Sequence, residues 1–256
     1  MPRYILLHSA DSTNSYLRRV ASTLPSGTVI HTPDQRQGRG QAGNSWESEP
    51  GMNATFSFLL KGSGVSPSSQ FAISEATAMA IVDIMDNYGL KCAVKWPNDI
   101  YHGDKKLGGI LIEHTLMGST ICHSVIGAGI NVNQAVFKSD APNPVSMAQI
   151  TGETQDIETV MREVCSRIEE LCATLPDGAD SLHSRFMQRL YRADGKPHPF
   201  ELPDGTRFMA VIDDVHPDGM LALRHSDDGE VRLYAFKQVS HVLEKSQPDD
   251  FSEEIF

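Results

Sequence analysis

Along the first two-thirds of the chain, short apolar runs alternate with stretches whose apolar residues recur about every three to four positions. Runs of the first kind bury in sheets and stretches of the second kind form amphipathic helices, so the pattern predicts a mixed α/β (α+β) layer fold. Tyr4 to His8 and Thr28 to Thr32 read as strands. Between them, Asp11-Ser12-Thr13-Asn14 offers capping side chains ahead of Tyr16, Leu17, Val20 and Leu24 at helical spacing, which predicts a helix start. Asn53 to Leu60 alternates as a strand, and Phe71 to Met85, apolar nearly all round, reads as a helix crossing the core. Cys92 to Trp96 and Asp99 to Tyr101 are strand segments around Pro97, and Leu107 to Glu113 returns after the turn signal His102-Gly103-Asp104, so a hairpin is the economical reading. Ile121 to Ile130 is a further buried strand, in which Gly127 and Gly129 let another group approach the backbone.

Ile157, Val160, Met161, Val164, Cys165, Ile168, Leu171 and Cys172 keep one apolar face through a long helix, and Leu182, Phe186 and Leu190 predict another. These helices are expected to close a first domain over residues 1–194. After Asp194-Gly195-Lys196-Pro197 the pattern changes to short alternating strands separated by Pro203-Asp204-Gly205, Pro217-Asp218-Gly219 and Asp227-Asp228-Gly229, each a strong turn signal. A small β-barrel over residues 195–245 follows, then an acidic tail, 246–256, expected to fray.

Composition narrows the function classes. A formal net charge of −11 over 256 residues disfavours nucleic-acid and anionic-membrane partners. The N-terminal residues lack the apolar core of a signal peptide and no stretch is apolar enough to span a bilayer, so the cytoplasm is the default compartment. Cys92, Cys122, Cys165 and Cys172 have no CxxC spacing and fall in apolar runs, where buried free thiols are expected.

Three segments carry candidate chemistry. Gly38-Arg39-Gly40-Gln41-Ala42-Gly43-Asn44-Ser45-Trp46 frames a fixed cation with glycines, a loop able to wrap an anion, although a plain surface loop reads equally well. It matches neither Walker A nor GxGxxG spacing. Lys95-Trp96-Pro97-Asn98-Asp99, with Lys105-Lys106-Leu107-Gly108-Gly109, places two lysines and an aspartate on adjacent strands of one hairpin. A lysine inside a strand needs an anion if buried, and Asp99 suits a divalent cation or a ribose hydroxyl; an edge charge and a turn cap are the plainer alternatives. Gly127-Ala128-Gly129-Ile130-Asn131-Val132-Asn133 ends a buried strand in residues that can receive a flat ligand, or in an Asn-capped turn.

The ordered set DSTN (Asp11 to Asn14), GRGxxGNxW (Gly38 to Trp46), KWPND (Lys95 to Asp99), KLGGILIE (Lys106 to Glu113) and GAGINVN (Gly127 to Asn133) resembles biotin protein ligases across most of residues 8–135. The resemblance implies a mixed-sheet catalytic domain similar to class II aminoacyl-tRNA synthetases, with an SH3-like C-terminal barrel. It also implies a two-step reaction: biotin and Mg·ATP give biotinoyl-5′-AMP, and a lysine of a biotin carboxyl carrier protein domain then takes the acyl group. By the same resemblance, Ser12, Thr13 and Gln35 would meet the ureido ring, with Asn14, Gly38, Arg39, Gly40, Gln41, Lys106, Gly109 and Gly129 completing the biotin site. Arg39 and Lys106 would hold carboxylate and α-phosphate together, Lys95 would neutralise phosphates, Trp46 would cover adenine, Asn131 would read its edge, and Asn98 with Asp99 would organise phosphate, ribose or Mg²⁺.

Gln41 departs from the family pattern, which often carries a second arginine there. DSTN begins within the first dozen residues, leaving no room for the winged helix that makes some members repressors, so a ligase without regulator is expected. The rivals are lipoate or octanoate transfer, whose different arginine-glycine motif is missing, and a non-catalytic biotin sensor, which would not need Lys95 and Asp99. The Gln35 to Trp46 loop is expected to be disordered without ligand. A homodimer is compatible with the sequence but not specified by it.

Overall fold

The computed structural model describes residues 1–138 and 143–243. The predicted fraying of the 246–256 tail falls outside them. A seven-stranded mixed sheet is built from β1 (Arg3–Leu6), β2 (Thr28–His31), β5 (Ala54–Lys61), β6 (Cys92–Lys95), β7 (Asp99–His102), β8 (Lys105–Met117) and β9 (Thr120–Ile130), in the spatial order β1-β2-β5-β9-β8-β7-β6. Only β1 and β2 run parallel, joined by the crossover helix α1 (Thr13–Val20); every other neighbouring pair is antiparallel. The predicted hairpin is β6–β7, which continues into β8. The loop between β2 and β5 folds back as a two-stranded ribbon, β3 (Gly38–Arg39) against β4 (Ser45–Trp46). Gly40 N–H donates to the Asn44 carbonyl at 2.7 Å and closes the ribbon locally.

One face of the sheet carries α2 (Phe71–Asn87), backed by α4 (Ile157–Ala173) and α5 (Ala179–Gln188), with the short α3 (Met147–Thr151) opening this helical stretch. The α2 helix is buried nearly all round, as its unbroken apolar sequence requires. On the opposite face α1 packs against β5 and β9, burying Leu17 and Ala21 with Leu59 and Val125. Ser12 caps α1 by accepting from the Ser15 amide.

The C-terminal unit is a five-stranded antiparallel sheet, ordered β13 (Val231–Tyr234), β12 (Leu221–His225), β11 (Arg207–Val215), β10 (His198–Glu201), β14 (Ser240–His241). Its buried residues Phe200, Ala210, Ile212, Val215, Leu221 and Leu223 belong to the same apolar cluster as α2, α4 and the large sheet. Polar ties reinforce the contact: Trp96 Nε1 donates to the Gly219 carbonyl at 2.9 Å, and His183 lies between Glu75 of α2 (2.7 Å) and Asp214 of β11 (2.9 Å). Cys92, Cys165 and Cys172 are buried free thiols as expected, whereas Cys122 is exposed because it lies near the β8–β9 tip, where the sheet runs out into solvent.

Candidate active site

A row of directly opposed residues crosses five strands: Lys95 on β6, Asp99 on β7, Gly109 on β8, Gly129 on β9 and Thr55 on β5. Opposed residues in antiparallel strands share a face, so this row is a bed across the sheet, smooth at its two glycines and charged at the β6 end. Four strand spacings of about 4.8 Å make it roughly 19 Å long. Lys106 joins it through a defect. Three residues from Gly109, its side chain belongs on the far face, but a bulge between Ile100/Tyr101 and Gly108/Lys106 sets Lys106 opposite Tyr101 and turns it back to the bed. Its ammonium then meets Asp99 Oδ1 at 2.6 Å.

A cavity of about 250 Å³ lies along this bed. At one end the α1 N-terminus presents Ser12, Thr13 and Asn14, with Gln35 Oε1 accepting from the Thr13 amide at 3.0 Å and the Ser57 hydroxyl 2.8 Å from Thr13 Oγ1. Asn14 Nδ2 donates to the Leu111 carbonyl and to Glu113 Oε2, so its amide is locked. Arg39 reaches over from β3; its guanidinium donates to Glu113 Oε1 at 2.9 Å and Ser15 Oγ at 3.1 Å. Burial pushes the Glu113 carboxyl up, but hydrogen bonds from Arg39 and Asn14 and the charges of Arg39 and Arg18 outweigh it and hold it below its usual range.

At the other end Lys95 is largely buried, which pulls its pKa down against the opposing pull of Asp99. Among the described residues it makes no ion pair, and its ammonium lies 5.3 Å from the Tyr101 ring centroid. Phe200, Leu221 and His241 of the C-terminal sheet, with Phe236 from the loop between β13 and β14, roof this end. Trp46 rests against the bed: a Cβ on Gly129 would come 2.4 Å from its ring, and one on Gly109 3.3 Å. Polar atoms buried without a partner among the described residues line the cavity, namely Gln41 Oε1, Trp46 Nε1 and both ring nitrogens of His241, with Tyr101 Oη beneath Lys95. Unmatched polar atoms in a concave, doubly cationic bed are what a polar, anionic ligand satisfies.

The family model for the biotin/lipoate A/B protein ligase family matches residues 6–131, the stretch that builds this bed. The match covers just under half of the chain. Among relatives, it is 35% identical over 134 residues to the bifunctional ligase/repressor BirA of Salmonella typhimurium, covering 52% of this chain and 42% of that protein. It is 29% identical over 163 residues to the biotin--[acetyl-CoA-carboxylase] ligase of Paracoccus denitrificans, covering 60% of this chain and 66% of that one. The chain thus spans about two-fifths of the first curated relative it matches. The biotin protein ligase of Aquifex aeolicus, solved in complex with biotin and ATP, aligns with a TM-score of 0.78 over 94% of this chain and 98% of its own at 21% identity, a likeness of fold that includes the C-terminal unit.

The cavity gathers Ser12, Thr13, Asn14, Gln35, Arg39, Gly40, Gln41, Trp46, Lys95, Asn98, Asp99, Lys106, Gly109 and Gly129, but two of the residues expected at the site stand apart. Asn131 does not border it: its amide donates to the Val145 carbonyl at 3.1 Å and the Lys106 carbonyl at 3.4 Å, holding the 143–146 segment instead of offering an edge to a base. Gly38 also lies off the cavity, because it pairs with Trp46, whose carbonyl would meet a Cβ there at 2.3 Å. Asn98 borders the cavity but spends its amide on the Ile110 carbonyl at 2.6 Å. Trp46 covers the glycines themselves, so in this conformation no adenine fits beneath it. Sequence reasoning missed Glu113 as the partner of Arg39, Ser57 behind Thr13, and His241; only Glu113 had a signal, as the single carboxylate of KLGGILIE.

Proposed function

We propose that the chain activates biotin with ATP and transfers it to a lysine of a biotin carrier domain. The observation that carries this reading is the convergence of Arg39, Lys106 and Lys95 on one cavity with an uncharged polar end. Ser12, acting as helix cap by accepting, keeps its hydroxyl hydrogen free for a ureido carbonyl, and Gln35 keeps its amide hydrogens. A carboxylate and a triphosphate repel, and cations placed between them let the carboxylate oxygen attack the α-phosphorus while pyrophosphate leaves. In the second step the carrier amine attacks the acyl carbonyl and AMP leaves. Glu113 and Asp99 hold the two cations in position until substrate anions replace them.

A divalent cation supplies neutralisation of polyphosphate charge when bound. Asp99, the one carboxylate bordering the cavity among the described residues, would hold it together with phosphate oxygens; no group of three His, Cys, Asp or Glu side chains among them is placed to hold a metal alone. In this reading residues 1–194 are the catalytic unit and 195–245 a roof over its nucleotide end. The net charge of −11 and the lack, among described residues, of a helix able to cross a membrane agree with a protein carrier as partner.

Incubation with biotin, MgATP and a purified carrier domain, read by intact mass, should add one biotinoyl group per carrier lysine. Lys106→Ala should lower the rate at least about 100-fold with the fold intact by circular dichroism, since it removes a charge acting on the transition state. Modification with lipoate but not biotin would overturn the substrate assignment. Binding without biotin-dependent pyrophosphate exchange would overturn the catalytic one.

A further inference from the structure

His241 has no part in the reaction as described so far, yet its position demands a partner. It ends β14, is only 8% exposed and borders the cavity, and neither ring nitrogen has a hydrogen-bond partner among the described residues. Its immediate neighbours are rings, with Phe200 at 4.8 Å and Tyr191 at 5.6 Å between centroids. The charged groups facing it are cationic or can become so: Lys95 from β6, Arg192 after α5, and His198 from β10. Two of these are already engaged, Arg192 with the Val242 carbonyl and His198 with Asp194 at 2.8 Å; Lys95 is not ion-paired among the described residues. The β6 end of the bed therefore holds a part-buried ammonium and a buried imidazole, both lacking acceptors among the described residues, under a roof supplied by a separate sheet.

We infer that His241 is a positioning residue for the terminal phosphates of a bound nucleoside triphosphate, which it meets beside Lys95 and toward which it takes up a proton. The inference rests on the ligase reading and adds to it a residue and a proton balance. Burial, with the Lys95 charge, holds the imidazole down to about 3, so it is neutral before the nucleotide enters. A polyanion between Lys95 and His241 reverses the local field and offers acceptors to both nitrogens, of which a neutral ring can donate only one; the second proton comes from solvent. As the bond between the α-phosphorus and the pyrophosphate oxygen breaks, the leaving group gains negative charge, so the contact tightens during adenylation. Acyl transfer to lysine involves no pyrophosphate and does not draw on it.

Calorimetric titration of the full chain with a non-hydrolysable ATP analogue in the presence of biotin and magnesium, in buffers of differing ionisation enthalpy, counts the protons. Wild type should take up more protons with the analogue than with AMP, increasingly so as pH falls from about 7.5 to about 5.5, and His241→Asn should remove that excess. In activity, His241→Asn should slow biotin-dependent pyrophosphate exchange at least tenfold more than it slows acyl transfer from preformed biotinoyl-5′-AMP. Equal proton counts for the analogue and AMP in wild type, a measurement that needs no variant, would overturn the proposal. So would equal losses in the two half-reactions. Wild type that binds the analogue with proton uptake but never exchanges pyrophosphate would instead refute the ligase reading and leave the phosphate contact standing.

Discussion

At the scale of single residues, Gly129 and Trp46 are one device. With no Cβ at position 129 the indole rests on the strand itself, and its Nε1 is left buried without a partner among the described residues. A flat ligand lying on the same glycines must lift it. The chain has two tryptophans, and Trp96 is fixed by its hydrogen bond to the Gly219 carbonyl, so a change in emission on adding biotin and ATP should come from position 46. Trp46→Phe should abolish most of the change and Trp96→Phe should preserve it; the reverse would show that the indole does not move. The glycine pair was legible as a signal for close approach, but the group that approaches was not, because Trp46 lies 83 residues from Gly129 on a ribbon whose fold depends on its own turn.

At the scale of elements, Glu113 ties β8 to α1 through Asn14 and Arg18, and to β3 through Arg39. Glu113→Gln should lower stability by roughly 1–2 kcal/mol, in the range of a charge-assisted network that is only partly exposed. Because its folded pKa is depressed, this contribution is complete above the unfolded carboxylate value and is lost as pH falls through the folded one. Thermal denaturation should therefore separate wild type from the variant at about pH 7 and bring the two together as the carboxyl protonates below about pH 4. The hairpin around Pro97 could be read from alternation and turn residues, both local signals. The bulge that aims Lys106 could not, since one extra residue in a strand leaves the composition unchanged. The bond from Asn131 to Val145 was illegible for a related reason: an amide at a strand end serves a ligand or a neighbouring carbonyl equally well.

At the scale of the whole molecule, the two sheets share one apolar cluster and His183 bridges them between Glu75 and Asp214. Burial alone would lower the His183 pKa, but hydrogen bonds and charge from the two carboxylates outweigh it and raise it. Its stabilisation is thus complete below the unfolded histidine value of about 6.5 and declines as pH rises through the folded one. The melting temperature should fall between about pH 6 and about pH 9 in wild type and follow a flatter curve in His183→Gln; parallel curves would rule the bridge out as a pH-dependent tie. The C-terminal unit was visible from its turn signals, whereas its role as roof was not, because Lys95 and His241 meet across 146 residues of chain. The bed itself runs across strands, not along one of them. Each part of the bed therefore rests on a different segment of sequence, and on the function proposed above the acid end can be reshaped at Thr13 and Gln35 while the phosphate end on β6 and β14 is left alone. A fold laid out in this way can exchange one carboxylic acid for another without relearning how to hold the nucleotide.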